Sequence, residues 1–116
     1  MKEDAIEILA HHRDRAADRL AEAREKIARG AATRDSHDLA YALAALAEQE
    51  GRLFVLSGVL RLIEAGKAGE VGAWLVTHAT RGAEDSWSGR TNDAARSRFD
   101  GVLAAIREVH ETLEAR

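Results

Sequence analysis

Histidine is the side chain in this sequence best suited to acid–base or metal chemistry, and the chain has five of them. A metal site needs three or four ligands that converge on one ion. Glu7 and His11 stand four residues apart and would share one face of a helix, but a second pair would have to face them. The Glu-x-x-His motif that supplies such pairs in helical bundles is missing. We therefore predict no metal and no other cofactor. The histidines, expected to be exposed or partly packed, are His11, His12, His37, His78 and His110.

Covalent catalysis and phosphate binding lack the residues that they require. Cysteine is absent, and none of the serines stands in a Gly-x-Ser-x-Gly elbow. Neither Gly-x-Gly-x-x-Gly nor a P-loop motif occurs. We predict that the protein is not an enzyme. The alternative that stays open is a small-molecule-binding or catalytic bundle that uses Trp74, His78 and Trp87.

Composition and charge exclude further classes of protein. The absence of cysteine and proline excludes disulfide scaffolds, zinc ribbons and Pro-rich linkers. The chain carries 17 Lys and Arg against 20 Asp and Glu, a net charge of −3, so it lacks the basic field that nucleic-acid binding needs. The most basic local run, 90–98, leaves a DNA-binding regulator as a minor alternative.

No segment of the sequence predicts export or membrane insertion. The chain begins with Met-Lys-Glu-Asp, and no apolar signal region follows. The longest nearly apolar stretch, 53–63, contains Arg61 and is too short to cross a bilayer. We expect a cytoplasmic protein with no membrane association.

The two tryptophans, Trp74 and Trp87, are the largest side chains available for anchoring or recognition. Trp87-Ser88-Gly89, followed by an alanine-containing helix, resembles the Trp-x-Gly turn of the small helical-hairpin proteins exported by type VII secretion. The resemblance covers about 30 residues, and the chain has His110-x-x-x-Glu114 where that family carries a Tyr-x-x-x-acid export signal. We expect Trp87 to anchor a loop on the core, with contact to a partner as the alternative.

Apolar residues recur with helical spacing in the first part of the chain. They predict a helix over about 3–29 that Gly30 ends. Its stripe is Ile6, Leu9, Arg13, Ala16, Leu20, Ala23 and Ile27.

A second stripe keeps its phase through Gly51, which favours one long helix over about 35–66, with a kink or break at Gly51 as the alternative. Asp35 or Ser36 is the expected N-cap. This helix carries only two basic and five acidic residues, and its second half is apolar on several sides. It should therefore be the central element of the fold.

Two more helices complete the pattern. A shorter helix 3 is expected over about 70–80, followed by an irregular segment over 82–90. Thr91 or Asn92 then caps helix 4, whose apolar positions run from Phe99 to Leu113.

The predicted fold class is all-α: one domain over 1–116, built as an up-down, four-helix-bundle-like arrangement of three long helices and one short helix. Alanine at many inward positions allows close helix approach and leaves little room for a pocket. Surplus apolar surface on helix 2 and the tryptophans then predicts a protein–protein interface. Its candidate residues are Phe54, Val55, Val59, Leu62, Trp74 and Trp87.

The favoured function is a non-enzymatic interaction protein that forms a homodimer or docks on another protein. A regulatory or assembly accessory protein, including a phage-encoded one, fits this description.

Overall fold

The computed structural model describes residues 3–33, 36–87 and 93–114, which form four α-helices. The helices are α1 (Glu3–Thr33), α2 (Ser36–Glu64), α3 (Val71–Trp87) and α4 (Asp93–Glu114), and a 3₁₀ turn at Ala68–Glu70 precedes α3. No strand occurs within these residues. The prediction of an all-α bundle with three long helices and one shorter helix is confirmed.

Helix α2 is the central element and packs along both α1 and α4. It is continuous through Gly51, which confirms the prediction made from the unbroken phase of its apolar stripe. The low charge of α2 follows from this position, because a helix covered on several sides has little surface left for charged groups. The largest fully buried core side chains come from three helices: Leu9, Val55, Leu56, Val59, Leu60 and Val109.

The direction of α3 is fixed by its aromatic contacts with α2. Trp74 lies on Gly58, whereas His78, one turn later, contacts Phe54, one turn earlier on α2. Helix α3 therefore runs antiparallel to α2.

Helix α4 turns back along α3 and reaches α2. Phe99, near the start of α4, packs on Gly82, near the end of α3, and the later part of α4 forms a groove with the start of α3. Helix α4 is thus antiparallel to α3 and runs in the same direction as α2. This arrangement places α4 over a face of α2 that α1 leaves open.

A left-handed glycine ends α2. Gly66 has φ 76°, a conformation that side chains disfavour. Its N–H donates to the carbonyl of Ile63 at 3.0 Å, and the N–H of Lys67 donates to that of Leu62 at 2.8 Å. These are the two hydrogen bonds of a Schellman motif, and they confirm the predicted end of helix 2 near Gly66.

Two predicted helix ends are wrong. Helix α1 continues through Gly30 to Thr33, because Gly30 is buried and extends the apolar stripe. Helix α3 continues through Gly82 to Trp87, so the irregular segment expected over 82–90 is helical as far as Trp87. The expected N-caps Asp35, Thr91 and Asn92 lie outside the described residues.

Across the described ranges, none of the four helices combines the length and apolar character that a membrane crossing requires.

Candidate functional site

An aromatic cluster joins α2 to α3 at the surface. The rings of Phe54 and Trp74 stack with centroids 5.6 Å apart. His78 contacts Trp74 at 4.3 Å and meets Phe54 edge-on at 4.9 Å. The absence of a side chain at Gly58 lets the Trp74 ring lie directly on the backbone of α2. The cluster holds Phe54 in a defined orientation although nearly half of that residue is exposed.

His78 titrates in an altered environment. Partial burial lowers its pKa from 6.5, and the nearby Arg81 guanidinium lowers it further. Both effects disfavour the imidazolium, burial by removing water and Arg81 by charge repulsion. His78 therefore presents a neutral ring to Phe54 and Trp74 near neutral pH.

The predicted interface residues separate into surface and core. Phe54 is 48% exposed, and Trp74 is partly exposed beside it. Val55 and Val59 are 0% exposed, which corrects the expectation that they form an external surface, because they lie in the core cluster with residues of α1 and α4 such as Leu9 and Val109. Leu62 is partly buried against the core. Trp87 is the last residue of α3, so its backbone is helical and does not lie in a loop.

Helix α3 has an uncharged outer face that was not predicted from the sequence. Residues 71–80 contain no Asp, Glu, Lys or Arg, although half of them are exposed. The outward positions form a surface that we call the α3 ridge: Ala73, Val76, Thr77 and Thr80. Val76 is 66% exposed. The absence of charge over ten residues was the sequence signal for this face, because exposed helix surfaces usually carry charged side chains.

A groove between α3 and α4 borders the ridge. It has a volume of about 480 Å³, and its apolar walls include Val71, Leu75 and Ile106. Leu103 stands at the groove and is 42% exposed. Alanine content had predicted little room for a pocket. The groove arises nonetheless, because it lies between α3 and α4, where large aliphatic side chains line an open cleft.

A second feature that the sequence did not indicate is a charged network between α1, α2 and α4. Arg52, almost fully buried on α2, binds the carboxylate of Glu108 on α4. The other oxygen of Glu108 lies 3.2 Å from Nδ1 of His12 on α1. The Nε of Arg52 is buried and has no hydrogen-bond partner. This network ties three helices together in a region of low solvent access.

The described residues contain no group of three or more His, Asp and Glu that could hold a metal ion. Among the candidate histidines in the described part, His12 lies 3.2 Å from a carboxylate oxygen of Glu108, and His110 lies 3.0 Å from one of Glu114. The side chain of His37 lies outside the described part.

Comparisons with protein-family models, curated proteins and solved structures find no match to this chain.

Proposed function

We propose that this protein is a non-enzymatic interaction module that self-associates through the surface over α3. The observation that carries the proposal is the exposure of Val76 on the uncharged α3 ridge, with Phe54 on one side and Leu103 on the other. These three residues come from three different helices and are 66%, 48% and 42% exposed. Clustered apolar side chains at a surface favour burial against another protein.

The geometry lowers the cost of binding. Phe54 is held by Trp74 and His78 before any partner arrives, so little side-chain freedom remains to be lost. Val76 and Leu103 extend from helices, whose backbone is already ordered. Burial of these side chains contributes roughly 25 cal/mol per Å² of apolar area.

Sedimentation equilibrium tests the proposal. We expect a dimer to form as the concentration rises through the micromolar range. Val76→Asp should weaken this association, because the carboxylate would be desolvated at the contact. Leu43→Asp is the matched control, since Leu43 is also an exposed apolar residue (50%) but lies near the start of α2 and not on α3. A monomer at high micromolar concentration, or equal effects of the two variants, would contradict the proposal.

The groove between α3 and α4 supports a second candidate function, the binding of an apolar small molecule. Its volume of about 480 Å³ falls in the usual range for ligand pockets. A Trp87→Phe variant would leave Trp74 as the only tryptophan. A saturable change in its fluorescence with an aliphatic ligand, lost in Leu75→Asp, would favour this function over self-association.

A further inference from the structure

We propose that α3 pairs antiparallel with α3 of a second copy of this chain, around a two-fold axis near Val76. The inference rests on the proposed self-association and specifies its geometry. Three observations support it: the uncharged α3 ridge, the charges at its two ends, and the apolar residues on its two sides.

The α3 ridge has the spacing of a helix–helix contact. Ala73, Val76, Thr77 and Thr80 follow the i, i+3, i+4, i+7 pattern and so form one stripe along α3. All four residues are exposed in the single chain. Without a charged group on the stripe, two copies can meet there with no buried charge.

The charges at the ends of the ridge are opposite in sign. Glu70 immediately precedes α3, and Arg81 follows the ridge. They are eleven residues apart, just over three helical turns, so they lie on the same side of the helix. Within the described part of the chain, neither side chain forms an ion pair.

An antiparallel pair of α3 helices would form two equivalent ion pairs from these charges. When two helices pair around a two-fold axis near Val76, Glu70 of each copy lies opposite Arg81 of the other. A parallel pair would instead place Glu70 level with Glu70 and Arg81 level with Arg81, so that no opposite charges would meet. The charge pattern therefore favours the antiparallel arrangement.

The self-complementary pattern identifies the occupant as a second copy. An antiparallel two-fold contact brings each edge of α3 against the same edge of its partner. Glu70 and Arg81 share one edge, so that edge of each copy supplies one member of both ion pairs. Phe54 and Leu103 extend the contact on either side of the ridge.

Charge exchange tests the pairing. Glu70→Arg and Arg81→Glu should each raise the dimer dissociation constant about tenfold, because each places like charges together at two symmetric positions. The double variant Glu70→Arg/Arg81→Glu restores opposite charges and should recover most of the affinity. Glu25→Arg, at an exposed position on α1, controls for the change in net charge.

A single introduced cysteine tests the position of the two-fold axis, because the chain has no other cysteine with which it could pair. Val76→Cys should form an intermolecular disulfide readily under mild oxidation, whereas Ala17→Cys on exposed α1 should not. Both positions are exposed, so the fold should persist, and circular dichroism checks this.

The results separate this inference from the proposed function. Dimerisation with charge rescue and Val76→Cys cross-linking would support α3 pairing. A dimer that lacks either response would overturn the α3 pairing and leave self-association intact. A monomer at high micromolar concentration would overturn both.

Discussion

Gly51 of α2 and Gly101 of α4 form a reciprocal contact in which each glycine lies against the backbone of the other helix. A Cβ on Gly51 would overlap the carbonyl oxygen of Arg98 and lie 3.1 Å from the Val102 nitrogen. A Cβ on Gly101 would overlap the carbonyl oxygen of Glu48 and lie 2.8 Å from its carbon. Each carbonyl belongs to the residue one turn before the facing glycine. The two helices therefore meet backbone to backbone.

Gly101→Ala should destabilise the fold by about 1–3 kcal/mol, because α2 and α4 must separate to admit the methyl group. The loss should exceed the gain of about 1 kcal/mol that alanine brings to a helix. Gly72→Ala is the matched control: no atom lies within 4 Å of the added Cβ, so this variant should gain stability. Urea denaturation measures both, and equal behaviour of the two variants would contradict the backbone contact.

Arg52→Met should cost about 2–3 kcal/mol, because it leaves the largely buried Glu108 carboxylate without its guanidinium partner. Arg52→Met/Glu108→Met removes both charges and should recover much of that loss. The exposed pair between Arg98 and Glu50 provides the comparison, and Arg98→Ala should change stability by less than about 1 kcal/mol. Chemical denaturation of the natural chain and these three variants tests this, and a double variant no more stable than Arg52→Met would argue against coupling.

His78 should make stability depend on pH. Its pKa is lowered in the folded state, first by burial and then by Arg81, so the unfolded chain binds its proton more readily. The contribution of His78 to the free energy of unfolding is fully present above its unfolded pKa of about 6.5. It is lost as the pH falls through the lower pKa of the folded state. The difference between the unfolding free energies of the natural chain and His78→Gln should show this trend.

NMR titration measures separately how much Arg81 contributes to the lowered pKa of His78. Arg81→Gln should raise the pKa of His78, because it removes the positive neighbour, while leaving the effect of burial. An unchanged titration in Arg81→Gln would show that Arg81 does not act on the imidazole.

Gly58→Ala should displace the Trp74 ring, since two carbons of that ring occupy the space of the new methyl group. We expect a loss of about 1–3 kcal/mol and a red shift in the emission of Trp74, measured in a Trp87→Phe background. Gly69→Ala, where the added Cβ meets nothing within 4 Å, should leave the emission unchanged. Identical spectra for both variants would contradict the packing of Trp74 on Gly58.

The sequence by itself determined the helical elements with intact apolar phase. The stripe from Ile6 to Ile27 indicated α1, and the stripe through Gly51 indicated one continuous α2. The low charge of α2 also predicted its central position. These features follow from the 3.6-residue period, which each segment carries locally.

The apolar pattern could not show whether a helix ends at Gly30 or at Gly82. A glycine stops a helix when it adopts a left-handed conformation, as Gly66 does. It continues a helix when tertiary contacts occupy the space of its missing side chain, as Phe99 does at Gly82. Sequence patterns alone do not separate these two uses.

Only the tertiary structure decided which apolar residues remain at the surface. Val55 and Val59 have the same helical pattern as an exposed interface, but the fold buries them in a core cluster shared with α1, α3 and α4. Val76 remains exposed because α3 packs with its opposite face. Periodicity gives the apolar face of each helix, whereas the burial of that face depends on contacts between residues distant in the chain.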